Sequence, residues 1–178
     1  MANRFIDLQE VTKLGQEPVS VELAKAWAKI EYTTDDKIID AMLTASRTML
    51  EKETNVGFGI RTWQVEFYHD GENPYLLPYG PFVELISVEY RACKLTEWST
   101  ITTQEDDSFE LEGVEFKSLY GEKGIYRIQY RAGYSPLPYQ LQAALQAQFL
   151  HLYENRGDAV ITNTVKQLLT GYNKVGWL

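Results

Sequence analysis

With a single cysteine, two histidines and no long apolar run, this chain has few of the side chains on which catalysis or membrane insertion rests. Cys93 has no second cysteine to close a disulfide and no second sulfur ligand for a thiolate metal centre, so a reducing, cytoplasmic setting is expected. Met1 to Glu10 lacks the basic start and apolar run of a signal peptide, and no stretch approaches the roughly 18 apolar residues of a membrane span. A soluble chain that stays where it is made is expected. Basic residues are also in deficit, 17 Lys and Arg against 25 Asp and Glu, for a net charge of -8. That balance argues against a broad cationic surface that grips phosphates by counterion release. An acidic surface still suits DNA that must slide past without sticking, because like charges repel.

What is present is an ordinary globular composition: 178 residues, 44% apolar and 13% aromatic, enough for one domain (1–178) with a real core. Ser20 is a plausible N-cap with Pro18 just outside it, and Leu23, Ala24, Ala26, Trp27 and Ile30 recur at helical spacing. Thr33 with Asp36 forms a capping-box-like pair ahead of Ile38, Ile39, Met42, Leu43, Ala45, Ser46, Met49 and Leu50, and predicts a second helix to about Thr54, stopped by Gly57 and Gly59. Arg61 to Tyr68 switches to alternation, with Trp63, Val65 and Phe67 on one face, and reads as a strand. The turn Pro78-Tyr79-Gly80-Pro81 precedes a second strand from Val83 to Arg91 through Ile86, Val88 and Tyr90. Further strands are expected at Trp98–Thr102, Phe109–Phe116 and Ile125–Arg131, with Glu105-Asp106-Asp107 capping an exposed hairpin. A last long helix after Pro138 presents Leu141, Ala144, Leu145, Gln148, Phe149 and Leu152, and a shorter one follows near Thr164 to Leu169. The fold class is α+β: a helical start (about 20–54), an antiparallel β region (about 61–132), a helical end (about 139–170) and a tail (171–178).

The groups that might carry chemistry have plainer explanations. Asp35-Asp36 sits in a first helical turn, where the helix dipole favours negative charge. Glu105-Asp106-Asp107 lacks the ligand spacing and central glycine of a calcium loop. His69 and His151 have no Gly-x-Ser-x-Gly elbow to serve, and His151 with Glu154 one turn later is a two-ligand fragment with no other histidine. Cys93 reads as a small buried residue, with Lys94 on the opposite face of a strand. Gly121-Glu122-Lys123-Gly124 has the wrong spacing for a phosphate loop and reads as a hairpin turn. No catalytic residue, metal ligand or cofactor site is expected.

Two features carry more. Twelve tyrosines include Tyr75, Tyr79, Tyr120, Tyr134, Tyr139 and Tyr153 at segment ends, where they either close the edge of the core or face a partner. The tail Gly171 to Leu178 is too glycine-interrupted for a helix yet ends in Trp177 and Leu178, which need a pocket on this subunit or on a neighbour.

Pro18-Val19-Ser20 leading into Ala24-Lys25, the Ile30 to Asp36 connector, Thr62-Trp63, Leu77-Pro78 with Pro81, Ser87-Val88-Glu89-Tyr90, Tyr130-Arg131-Ala132-Gly133-Tyr134 and Tyr153-Glu154-Asn155-Arg156 stand in an order that resembles the tailed-bacteriophage head-tail connector (adaptor) family over about Pro18 to Leu169. The resemblance implies a non-enzymatic structural subunit of a closed ring, a dodecamer in the virion, seated beneath the portal and joining it to a tail or stopper protein. It implies a helical base packed side by side, an inserted β region reaching toward the next component, and DNA passing through the lumen without sequence-specific binding. Subunit-interface candidates are then Tyr134, Tyr153, Glu154, Asn155 and Arg156, and portal-binding candidates are Tyr172, Lys174, Trp177 and Leu178. The location implied is the virion, with host cytoplasm during assembly. The rival reading is a carbohydrate- or peptide-binding module that stacks ligands on exposed aromatics.

Overall fold

The computed structural model describes residues 3–101, 109–112, 114–118, 122–155 and 158–172. They form two compact units, one from Met1–Lys13 with Ile60–Gly133 and one from Leu14–Gly59 with Tyr134–Leu178.

The first unit is all β. Its strands are β1 (Arg4–Glu10), β2 (Arg61–His69), β3 (Tyr75–Leu76), β4 (Phe82–Arg91), β5 (Ser99–Ile101), β6 (Phe109–Glu112), β7 (Glu115–Ser118) and β8 (Gly124–Ala132). A five-stranded sheet runs β1-β2-β8-β4-β5 and a three-stranded sheet runs β3-β7-β6, with antiparallel pairing throughout. Alternation in β2 and β8 decides which side is apolar: Trp63, Val65, Phe67, Tyr126, Ile128, Tyr130 and Ala132 are buried. Phe67 is the centre of that core. Its ring stacks on Tyr75 at 3.7 Å and meets the edge of Phe116 at 5.5 Å, while Trp63 stacks on Tyr79 at 4.1 Å.

The structure departs from the sequence pattern at four places. The chain opens with a strand, not a helix: β1 is an edge strand paired only with β2 among the described residues, and too polar to show a clear alternation. Ile86 does not share the face of Val88, because the register against β8 shifts between Leu85 and Ser87; Ile86 is 47% exposed and Val88 fully buried. The single strand expected over Phe109–Phe116 is two, β6 and β7, paired antiparallel with Glu112 opposite Glu115. Cys93 is exposed and lies in the turn after β4, not in a strand. Glu105-Asp106-Asp107 and Gly121 lie outside the described residues.

Gly124 opens β8 where a Cβ would come within 2.4 Å of the Tyr90 ring and 2.8 Å of the Arg91 carbonyl oxygen. That carbonyl belongs to β4, which pairs with β8, and cannot retreat without loosening the ladder. Gly124→Ala is therefore expected to cost about 1–3 kcal/mol by overpacking. In the second unit, Gly59→Ala would meet only the far end of the Leu14 side chain, so its cost is expected within about 1 kcal/mol. Urea denaturation midpoints of the two variants check the contrast; equal midpoints would refute it.

The second unit is helical: α1 (Val21–Ala28), α2 (Asp36–Thr54), α3 (Tyr139–Glu154) and α4 (Asn163–Leu168). Ser20 caps α1 as expected, its Oγ accepting from the Leu23 N–H at 3.2 Å. The capping box expected at Thr33 and Asp36 is not formed. Asp35 occupies the N-cap position without a side-chain bond, and the Asp36 carboxylate is taken instead by Lys25 at 2.8 Å. The stop of α2 is also earlier than the two glycines: Asn55 turns left-handed at φ 54 and donates its N–H to the Glu51 carbonyl at 2.8 Å. All six residues expected on the inner face of α3 are buried, and Leu141, Ala144, Leu145 and Phe149 among them share a core with Ala24, Ile39, Leu43, Leu50, Val165 and Leu169.

A charged network lies beneath α2. Arg47 donates to Glu17 through Nε at 2.7 Å and Nη2 at 3.0 Å, and to Glu51 through Nη1 at 2.7 Å; the other Glu51 oxygen accepts from the Phe58 N–H at 2.8 Å. Burial pulls the Arg47 pKa down, but the bonds and charges of Glu17 and Glu51 outweigh it and hold the guanidinium charged.

Candidate functional site

The C-terminal end of α3 gathers three of the expected interface residues. Asn155 is tied to the helix it terminates: its N–H and its Nδ2 both donate to the His151 carbonyl, at 3.0 and 2.9 Å. Tyr153 stacks on Phe149 at 6.0 Å and brings its hydroxyl to 3.2 Å from that of Tyr32, in the connector between α1 and α2. Glu154 and Asn155 are exposed, and Tyr32 is half exposed. The Tyr153 hydroxyl, first through its hydrogen bond and then through its charge, pushes the Tyr32 phenol up to about 12, so the Tyr32 hydroxyl stays neutral and remains a donor at physiological pH. Nearby, His151 Nε2 lies 3.6 Å from the Asp158 carboxylate, a surface contact and not a ligand pair with Glu154. Arg156 lies outside the described residues.

Tyr134 belongs to a different place. Its N–H donates to the Gly57 carbonyl at 3.0 Å, and its ring meets Tyr172 edge-on at 6.2 Å, both half-buried against the helical core. One expected interface residue and one expected portal contact are thus partners within this unit. Lys174, Trp177 and Leu178 lie outside the described residues. Of the other tyrosines, Tyr75 and Tyr79 are spent in the β core, Tyr139 is 90% exposed, and Tyr120 is not described.

The β unit contributes a polar face that single residues did not announce. On the side of β2, β8 and β4 away from the aromatic core, Arg127 bridges Glu66 at 2.7 Å and Glu89 at 2.9 Å, Arg131 pairs with Glu84 at 2.7 Å, and Gln129 donates to Gln64 at 2.7 Å. The Trp98 ring packs against two guanidiniums, Arg91 at 4.1 Å and Arg127 at 4.0 Å. The signal was present as opposite charges on alternate residues of three strands, but it becomes legible only when the strand order is known. Each of these guanidiniums already has a carboxylate partner within the unit. The arrangement braces the sheet and offers no free group to a ligand.

The remaining candidates supply no reaction. Cys93 is exposed and its thiol pKa is lowered, chiefly by the Leu95 main chain and then by Thr96, but no base stands beside it among the described residues. Asp35 and Asp36 are absorbed in the start of α2. Among the described residues, no group of three or more His, Cys, Asp or Glu side chains is placed to hold a metal ion, and no helix is long and apolar enough to cross a membrane.

No family model matches the sequence. No curated protein sequence matches it significantly. Solved structures do share the fold. A chain in the neck of an empty gene transfer agent (GTA) particle, computed with C6 symmetry, superimposes with a TM-score of 0.79 at 17% identity, covering 97% of this chain and 98% of that one. A chain in the virion of a native GTA particle gives the same values, and a chain in the neck of a native GTA particle computed with C12 symmetry gives 0.72 at the same identity and coverage. At 17% identity what is common is the fold, and it extends over nearly the whole chain in both directions.

Proposed function

We propose that this chain is a structural component of the neck of a tailed phage or phage-like particle: a ring adaptor between the portal of the capsid and the tail or stopper, through whose lumen DNA passes. The observation that carries the reading is the fold shared end to end with chains from GTA neck assemblies, one of them computed with C12 symmetry. A ring needs heterologous contacts, two different surfaces on each subunit that close on a rotation, and a dodecamer meets that need. In this reading the helical unit supplies the side-by-side contacts of the base, with Tyr153, Glu154, Asn155 and Arg156 at a subunit boundary, and the β unit meets the next component. The net charge of -8 suits a channel that DNA crosses without adhering. The protein acts in the virion and is assembled in the host cytoplasm, without catalysis.

The ligand-binding alternative loses support from the aromatics. Trp63, Tyr75, Tyr79 and Trp98 each pack against a ring or guanidinium within the chain, which takes up aromatic surface that a sugar or peptide would need.

Light scattering and native mass spectrometry of the purified chain across concentrations, alone and with a portal protein, test the adaptor reading. A ring, spontaneous or portal-dependent, is the expected result; a strict monomer that ignores portal at every concentration overturns it. The C-terminal segment is assigned to the portal contact. Because Tyr172 packs on Tyr134, truncation after Tyr172 removes residues 173–178 and keeps that packing. The truncated chain is expected to fold normally and lose portal capture in a pull-down, and undiminished capture would refute the assignment.

A further inference from the structure

His69, the last residue of β2, is fully buried. Its ring is enclosed edge-on by Phe67 at 6.4 Å, Phe116 at 5.6 Å and Tyr126 at 5.7 Å. Nδ1 accepts a hydrogen bond from the Gly71 N–H at 2.9 Å, so that nitrogen carries no proton and the ring is neutral. The turn that follows is closed by the same few residues. The Asp70 carboxylate accepts from the Glu72 and Asn73 N–H groups, both at 3.0 Å, and from Asn73 Nδ2 at 2.8 Å. The turn in turn holds the residue just before β1: Asn3 Oδ1 accepts from the Asp70 N–H at 2.9 Å, and Asn3 Nδ2 donates to the carbonyls of Asn73 and Pro74 at 2.8 and 3.0 Å.

We infer that His69 is a proton-operated latch: neutral, it closes the corner between β2 and β3, and when charged it releases the 70–74 turn together with the start of β1. An imidazolium has two donors and no acceptor, so a proton on Nδ1 would point at the Gly71 N–H and break the bond that starts the turn. β2 and β7 present Phe67 and Phe116, which do not titrate. β8 presents the Tyr126 phenol, which donates to the Glu122 carbonyl at 3.4 Å. Burial disfavours the charged ring; the Asp70 charge and the Asn73 and Glu122 main chains favour it, and burial prevails, so the pKa lies below its ordinary 6.5. The unfolded chain therefore binds the proton more readily than the folded one. The stabilisation is full above pH 6.5 and is lost as pH falls through the lowered value. Asp70 stays ionised across this window, because the Asn73 and Glu72 N–H groups hold its carboxyl well below the usual carboxylate range.

The full chain is titrated by NMR from about pH 7.5 to about pH 5, following the imidazole nitrogens and the amide exchange of the 70–74 turn, with His151 as the internal comparison. The expected result is a His69 midpoint below 6.5, each unit of depression a tenfold penalty on charging, with protection of Gly71, Glu72 and Asn73 lost at that same midpoint. His69→Gln keeps an acceptor for Gly71 but takes up no proton, and is expected to abolish the acid opening. A midpoint at or above 6.5, or a turn that stays protected after His69 is charged, overturns the latch. The wild-type nitrogen shifts decide the matter even where the glutamine variant does not fold.

Discussion

Arg47→Ala is expected to remove about 3–5 kcal/mol from the stability of this chain, because it leaves the Glu51 carboxylate buried without its cation. Glu51 is 3% exposed and Arg47 7% exposed, so water cannot replace the lost partner. The guanidinium also carries both contacts to Glu17. Against a typical domain stability of about 5–15 kcal/mol, such a loss removes a large fraction of the whole. Thermal and urea denaturation followed by far-ultraviolet circular dichroism measure it. The mechanism has its own control. Replacing Arg47 and Glu17 by apolar residues of similar volume and Glu51 by Gln, whose Oε1 still accepts from the Phe58 N–H, is expected to recover much of the loss, since a buried network costs most when it is half removed. An Arg47→Ala loss below about 1 kcal/mol, the range of an exposed ion pair, would refute the assignment of these charges to the core.

Phe67→Ala carries the second large effect. The side chain is fully buried and touches Tyr75, Phe116, Tyr126 and His69. Truncation to the β-carbon removes the transfer energy of the ring and leaves a cavity among rigid aromatic neighbours that cannot collapse into it, for an expected cost of about 3–5 kcal/mol. Phe67→Leu refills part of the volume and is expected to cost distinctly less. The two variants are compared by urea denaturation read through near-ultraviolet circular dichroism, which reports aromatic packing. If alanine and leucine proved equal, the loss would not be one of cavity volume, and the central place given to Phe67 would be wrong.

The helices were legible because their signals are local. Ser20 caps α1 through a bond to a residue three positions on, and the apolar positions of α3 repeat with a period that needs only the chain itself to be read. The errors share one cause. The spacing of Asp36 from Thr33 predicts a capping group, whereas its carboxylate partners Lys25, eleven residues away. Ile86 stands two residues before Val88 in one strand, yet a slip of register against β8 turns it outward. β1 was missed because an edge strand buries little and so carries little pattern. The residue type of Cys93 predicts burial, whereas its exposure follows from where β4 ends.

The candidate site divides along the same line. Tyr153, Glu154 and Asn155 follow one another in sequence, so any helix ending there would cluster them. That Tyr32 completes the group, that Tyr134 and Tyr172 face each other, and that His69 is walled in by rings from three strands depend on residues tens of positions apart.

By itself the sequence determined the α+β class, the extent of most helices and strands, the scarcity of catalytic groups and the acidic balance, because composition, periodicity and capping act over a few residues. Only the tertiary structure decided which charges are buried and paired, which aromatics are already occupied, and which turn a single histidine holds shut. Those properties are set by the dielectric and the neighbours that long-range packing brings to each side chain, and no local pattern contains them.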